Sequence, residues 1–442
     1  MLKMCISKAN RLLVLVANYP MPPADATIEM QLKTILNHRY RLKGFVYGKA
    51  RIVGEQIEVE VRPRQGSKPR CGRCGRAGGT YDTRKPRRFD FVPILGMQVL
   101  FVYAMRRVNC PVCGVVTERI DWARGKERMT DAYKWFLSSW ARRLPWVEVA
   151  RVFGTSWNRV YRSVRHAVAW GIANQGPQRF EAIGVDEIAS RRGHRYLTVI
   201  YQIDEGCRRL LWVARGRRED SLREFLELHE STVRDHLRFI CTDMWRPYLN
   251  AIAEKAGDTV HVLDRFHIVQ RMNKAVDKVR AAETRRMRED GYEPILKHSR
   301  WCLLKRKQNR TKRQTEKLAD LLQYNLKTMR AYLMKEDFDQ FWSYSRAGWA
   351  ARFLDQWCTR AMRSKLDPMK DMAKTLRNHR ELLLNWFKAH GEISNGAVEG
   401  LNNKAKVALR KSYGFKSDEV YETVLYHELG KLPEHELAHR FC

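Results

Sequence analysis

Two aspartates, each closing a short apolar run, set the tightest limit on how this chain can fold. Asp186 ends Ile183-Gly184-Val185-Asp186, and Asp243 ends Phe239-Ile240-Cys241-Thr242-Asp243. Apolar runs of that length between turn signals read as buried strands, so both carboxylates are expected at strand tips. Glu399 follows in a helical stretch with asparagines on either side, Ser394-Asn395-Gly396-Ala397-Val398-Glu399-Gly400-Leu401-Asn402-Asn403. Carboxylates delivered from strand ends and a nearby helix suit two Mg²⁺ (or Mn²⁺) ions about 3.5–4 Å apart, the geometry for in-line attack on a phosphodiester. In that scheme Asp186 bridges both ions, while Asp243 and Glu399 each complete one.

The surrounding pattern fits. Strands are expected over 181–187, 196–203 and 209–214, a helix over 221–230, further strands over 238–243 and 259–263, and a helix over 266–280. Three strands, a helix and then a strand bearing an acid is the order of an RNase H-like sheet. There the first and fourth strands are neighbours, which brings Asp186 and Asp243 together. Glu187 and Asp204 are the alternative acids and rank below Asp186.

Charge points to the same class of partner. Among 442 residues, 83 Lys and Arg face 49 Asp and Glu, a net charge of +34. An enzyme of small metabolites needs no such excess, whereas counterion release from double-stranded DNA gives it a use. The longest early apolar run, Leu12 to Ala17, falls far short of the roughly 20 residues that span a bilayer. The expectation is therefore a cytoplasmic, nucleoid-associated protein with no membrane partner. Its cysteines should be reduced, and paired ones should be metal ligands.

Two such pairs occur, Cys71-Gly-Arg-Cys74 and Cys110-Pro-Val-Cys113. Each sets two thiolates on a tight turn, and together they supply the four sulfurs of one structural Zn²⁺ site. Between them, 88–103 reads as two strands around a turn at Leu95-Gly96, so the region is expected to be a zinc ribbon. Arg62, Arg64, Lys68, Arg70, Arg84, Lys85, Arg87 and Arg88 lie close by as candidate DNA contacts.

Helical spacing replaces strand alternation after Trp122. Pro145-Trp146 opens one helix, Gly154 permits a sharp turn, and Thr155 or Ser156 can cap the next. That helix carries Trp157, Val160, Tyr161, Val164 and Val168 on one face, with Asn158, Arg159, Arg162 and Arg165 elsewhere. This is the packing pattern of a helix-turn-helix, whose second helix would read a major groove. Ser156, Asn158, Arg159, Arg162 and Arg165 are its candidate DNA contacts.

Residues 281–390 are poor in Gly and Pro and rich in Leu, Met, Lys and Arg, and read as an all-α insertion domain. Trp301, Trp342, Trp349, Trp357 and Trp386 punctuate it, as helix-packing core or as a surface for distorted DNA. The basic run Lys305-Arg-Lys-Gln-Asn-Arg-Thr-Lys-Arg313 is either a solvated face or a phosphate-contacting loop, and the DNA reading is preferred.

Cys71-Gly-Arg-Cys74, Cys110-Pro-Val-Cys113-Gly114, Gly184-Val-Asp-Glu187, Asp243-Met-Trp-Arg-Pro-Tyr248, Asp264-Arg-Phe-His267, Val398-Glu-Gly-Leu-Asn-Asn-Lys404 and Tyr413-Gly-Phe415 follow in order. In that order they resemble the ISL3 group of bacterial insertion-sequence transposases, from about Met30 to the low 420s. The resemblance implies a DDE catalytic core with Asp186, Asp243 and Glu399 as its acids, acting on transposon ends and target DNA. It also makes Asp264 and His267 an acid-x-x-His signature, in which His267 positions DNA or a helix, or is a satisfied core histidine. Trp245, His267, Asn395, Asn402, Asn403 and Lys404 are the expected DNA contacts around the acids. Asn395 and Asn403, four residues either side of Glu399, are alternatively expected to orient its carboxylate. Joining two transposon ends implies a homodimer in the synaptic complex.

The fold expected is thus a multidomain α+β chain. An extension (1–29) precedes a β/zinc-ribbon domain (30–120) and a helix-turn-helix domain (121–177). The RNase H-like core follows in two parts (178–280 and 391–428), interrupted by the insertion (281–390), and a tail (429–442) closes the chain. Two other functions compete with a transposase: a DNA-binding regulator with an inactive nuclease fold, and a structure-specific RNase H-like nuclease. The first 29 residues have no counterpart in the family pattern, so they are expected to be dispensable or to reflect a mis-assigned start codon. N-terminal sequencing of protein made from its native locus should then find Met30 as the main end, and a dominant Met1 would overturn this.

Overall fold

The computed structural model describes residues 24–124, 127–191, 195–216, 219–389, 396–410 and 417–441. It divides the chain into two compact units, Met1–Gln175 with Lys411–Gly414 and Leu432–Cys442, and Gly176–Arg410 with Phe415–Lys431.

The first unit begins with helix α1 (Ala24–Arg39), which straddles the boundary drawn at Met30. Its strands are β1 (Phe45–Val53), β2 (Gln56–Pro63), β3 (Arg70–Cys71), β4 (Gly79–Thr83), β5 (Arg87–Ile94), β6 (Met97–Tyr103), β7 (Arg106–Cys110) and β8 (Gly114–Arg119). They form two sheets, ordered β1-β2-β6-β5 and β3-β8-β7-β4. The hairpin expected around Leu95-Gly96 is present, with Ile94 paired to Met97. Both turn residues have positive φ (51° and 82°), as a two-residue hairpin turn requires. This hairpin, however, pairs with β2 and not with the cysteine-bearing strands, so the knuckles and the hairpin belong to different sheets. The reason is compositional. Phe89, Phe91, Val99 and Phe101 are all buried, and they need a wider apolar partner than the small knuckle sheet offers. Three helices complete this unit's main body: α2 (Asp131–Arg143), α3 (Trp146–Val152) and α4 (Trp157–Ala173). Gly154, at φ 57°, turns the chain between the last two, and Val160, Val164 and Val168 are buried as the periodicity requires.

The second unit opens with β9 (Ala182–Arg191), β10 (Arg195–Asp204) and β11 (Cys207–Arg215). Helices α5 (Glu219–Leu228) and α6 (Glu230–Asp235) lead to β12 (Phe239–Thr242). Helix α7 (Arg246–Lys255), β13 (Val260–Leu263) and the long α8 (Arg265–Glu289) follow. The sheet order is β11-β10-β9-β12-β13. The first three strands are antiparallel and the last two run parallel to β9. Helix α7 falls where no helix was expected. Parallel neighbours such as β12 and β13 require a crossover, and α7 supplies it, burying Tyr248, Ala251 and Ile252 on the sheet.

The remaining α-helices of this unit are α9 (Arg300–Leu304), α10 (Lys312–Leu321), α11 (Lys327–Phe338), α12 (Ala347–Arg363), α13 (Asp367–Asn378), α14 (Arg380–Lys388), α15 (Ala397–Arg410) and α16 (Asp418–Leu429). The helical insertion has no sealed core of its own. One apolar cluster runs from Ile188, Val199 and Tyr201 on the sheet through Ile268, Met272 and Val276 of α8 to Phe338, Trp357 and Trp386. Trp342, Trp357 and Trp386 are buried, whereas Trp301 and Trp349 are exposed. Among the described residues, no helix is long and apolar enough to cross a membrane.

Candidate active site and metal centre

Side chains alternate across β9. Ile183 and Val185 face the core with α5 and α7, while Ala182 and Ile188 face the helical core. Asp186 belongs to the second face and lies mid-strand, not at a tip. Pairing with β12 stops at Gly184, so Asp186 sits just where the parallel neighbour ends and Asp243 begins the turn. Gly184 shares the face of Asp186, two residues before it. A Cβ there would collide with Cγ2 of Val398, the residue preceding Glu399. The missing side chain therefore lets α15 lie directly on β9.

That contact orders the carboxylates. Asp186 Oδ1 accepts from the backbone N–H of Glu187 at 2.8 Å, and its Oδ2 accepts from Asn402 Nδ2. Asn402 Oδ1 in turn accepts from the Tyr201 hydroxyl at 3.0 Å. Burial, and then Asp186, drive the Tyr201 hydroxyl far above its usual pKa, so it stays a donor and fixes which end of the Asn402 amide faces Asp186. Asp243 Oδ1 accepts from the backbone N–H of Trp245 at 2.8 Å. Asp264 caps α8, accepting from Phe266 N at 2.8 Å. His267 Nε2 lies 3.6 Å from Asp186 Oδ1 and 3.9 Å from Asp264 Oδ2.

Electrostatics tie these groups together. Contact with Asp186 raises the His267 pKa, against burial, with help from Asp264 and Asp243. Burial raises that of Asp264; Phe266 N–H and His267 oppose this, and Asp186 and Glu399 add to it. Asp264 is thus a further acid of this cluster. Glu399 is exposed on the first turn of α15. Asp243, Glu187, His267, Arg271, Lys274 and Lys278 line a cleft of about 540 Å³, while Glu399 opens onto a second cleft. The three acids are looser than a closed ligand set. Among the described residues, only Cys71, Cys74, Cys110 and Cys113 form a group of three or more His, Cys, Asp or Glu with ligand atoms all within 4.8 Å.

A family model described as "Transposase", that of the ISL3 group, matches residues 183–425. The chain belongs to the ISL3 transposase family. It is 27% identical over 354 residues to the transposase for insertion sequence element IS1001 of Bordetella parapertussis, covering 79% of this chain and 86% of that one. It is 28% identical over 397 residues to the transposase for insertion sequence element IS1557 of Mycobacterium tuberculosis, covering 82% and 86%.

Within this family member, the other candidate residues divide by exposure. Asn402, expected on DNA, is buried and holds Asp186 instead, because its position on α15 turns it toward β9. Asn403 and Lys404 are exposed, Trp245 is half-buried against Tyr248, and Asn395 lies outside the described residues. Glu187 accepts from Tyr248 Oη at 2.7 Å, and Asp204 accepts from Ala182 N at 2.7 Å, which gives both structural duties. On α4, Ser156, Asn158, Arg162 and Arg165 are exposed, with Arg165 over the Tyr161 ring. Arg159 forms a 2.9 Å ion pair with buried Asp90 of β5, so its charge is spent on tethering α4 to the sheet.

The four cysteines fit a tetrahedral ion. Cys74 and Cys110 sulfurs are 3.5 Å apart, close to the roughly 3.8 Å edge of a Zn–S₄ tetrahedron and far beyond a disulfide bond. Each pair is followed by a glycine with positive φ, Gly75 at 75° and Gly114 at 71°, which turns the chain back over the sulfurs. Backbone N–H groups of Cys74 and Arg73 help pull the Cys71 thiol down to about 6. Hydrogen bonding to Cys74, burial and Cys71 push Cys113 up to about 12. Full deprotonation of such a cluster calls for a cation.

Two outcomes are expected. Gly184→Ala should lower stability by about 1–3 kcal/mol through overpacking, and Val398→Ala in the same chain should recover most of it in thermal unfolding. No loss, or no recovery, would contradict the docking argument. Elemental analysis should find one zinc per chain, lost in Cys71→Ser with a lowered unfolding temperature. A stable zinc-free wild-type protein would refute the site.

Proposed function

We propose that this protein is a DDE transposase that binds the terminal inverted repeats of its element and performs Mg²⁺-dependent DNA cleavage and strand transfer. One observation carries the reading: parallel pairing of β12 with β9 sets Asp243 beside Asp186, and α15 docks on that same strand with Glu399. The order β11-β10-β9-β12-β13 is that of an RNase H-like sheet.

Asp186, Asp243 and Glu399 are the residues that would hold the divalent ions, and an all-carboxylate set suits Mg²⁺ or Mn²⁺. Ions bound there neutralise charge on the attacking and leaving oxygens of the phosphodiester. Asn402 occupies Oδ2 of Asp186 and directs Oδ1 toward the site. His267 sets Nε2 close to Asp186 of β9, a contact that ties the first turn of α8 to the sheet. Arg271, Lys274 and Lys278, on one face of α8, lead basic charge away from Asp243 along a path for the DNA backbone. The exposed residues of α4 read DNA as the second helix of a helix-turn-helix, beside the zinc ribbon. Two ends must be joined, so the working form on DNA is a homodimer.

With Mg²⁺ or Mn²⁺, the purified chain should cut DNA bearing the sequences that flank its gene. Asp186→Asn, Asp243→Asn and Glu399→Gln should each cut at least about 100-fold more slowly while still binding. Full activity in any one of them would move that role elsewhere, with Asp264→Asn the next variant to measure.

A further inference from the structure

The cleft on which Glu399 opens has walls that the proposed chemistry leaves unused. It holds about 660 Å³, and Glu399 lines it together with Arg265, Asn273, Arg306 and Lys307. Arg265 begins α8 and lies 5.2 Å over the Trp342 ring. Its Nε is buried without a hydrogen-bond partner, and so is Oδ1 of Asn273. Both atoms are sealed from solvent, so neither faces the open cleft, and what the cleft presents is the charge of its lining side chains.

The fold also sorts the basic run 305–313. Lys305 Nζ donates to Gln314, and Thr311 caps α10 in a capping box with Gln314. Arg310 is folded inward, its side chain 5% exposed, donating to the Tyr332 hydroxyl at 3.1 Å and lying 3.6 Å from Glu336. Arg306 and Lys307 remain exposed on the short turn that lines the cleft. Of the nearby acids, Glu336 is matched by Lys335 at 3.2 Å as well as by Arg310. Asp339 faces Lys335, Arg265 and Arg306. Glu399 aside, the walls are therefore net positive. Guanidinium groups favour phosphate through paired N–H donors, and the volume exceeds that of a bare phosphate ion.

We propose that Arg265, Arg306 and Lys307 form a clamp for a DNA backbone phosphate flanking the linkage at Glu399. The clamp thereby sets how far the strand advances past the acids. Its placement beside the reacting linkage rests on the transposase reading; the phosphate site itself does not.

The test uses the full chain and a duplex carrying the gene's flanking DNA, with single neutral methylphosphonate linkages walked through it. Binding and cleavage are both measured for wild type, for the exposed-loop variant Arg306→Ala/Lys307→Ala and for Arg265→Lys. Wild-type binding should fall about 10-fold at one or two linkages. The double variant should be nearly indifferent to those same linkages, and its dependence of log affinity on log salt should be shallower by about 2. Arg265→Lys, which keeps the charge but loses the fork, should show an intermediate response. Equal sensitivity of wild type and double variant at every linkage, with equal salt slopes, would overturn the clamp. Interference in wild-type binding without any cleavage would keep the clamp and remove the catalytic reading.

Discussion

Helix α15 meets strand β9 at a place where only a glycine fits. Gly184 removes the one side chain that would hold Val398 away, and the helix settles with Asn402 inside hydrogen-bonding range of Asp186. Everything proposed for the site depends on that approach. Glu399 rides on the first turn of the same helix, so the placement of its backbone beside β9 is set by this packing. Tyr201 completes the arrangement from β10, linking the sheet to the helix through the Asn402 amide. A buried polar chain of this kind is stable only when each member is satisfied, which restricts it to one geometry.

The second constraint is electrostatic. Asp186, Asp264, Glu399 and Asp243 gather near the start of α8 in a chain of net charge +34. A helix N-terminus tolerates acids well, and Asp264 uses its capping hydrogen bond in that way. His267, on the first turn of the same helix, faces two of these acids. Lys and Arg on α8 and on the 305–313 turn lie along the two clefts that border the acids. In the proposed reading the arrangement separates tasks: carboxylates for divalent ions, and a basic surround for the polyanion.

Much of this was legible from residue order. Asp186 and Asp243 could be placed together because a run of three strands, a helix and a further strand admits few topologies, and the spacing of Cys71, Cys74, Cys110 and Cys113 predicted the cluster their sulfurs form. What escaped were properties set by tertiary partners. Strand β9 runs on past Asp186 because β10 pairs with it that far, which no local signal reports. Helix α7 follows from the parallel pairing of β12 and β13, invisible before the sheet is assembled. Counting four residues either side of Glu399 singled out Asn395 and Asn403 and not Asn402, which among the described residues of α15 is the asparagine that bonds Asp186. The helix phase could be read only once Gly184 was known to face it. The ion pair of Arg159 could not be foreseen because its partner, Asp90, lies far away in sequence.

Asp186, Asp243 and Glu399 are proposed to make one divalent-metal centre. Electron paramagnetic resonance of Mn²⁺ titrated into the protein on its end DNA addresses it most directly. Two bound ions per active site are expected in the wild type, and weakened binding in Asp186→Asn, Asp243→Asn and Glu399→Gln with zinc content unchanged. Wild-type protein that binds no more Mn²⁺ than these variants would contradict it.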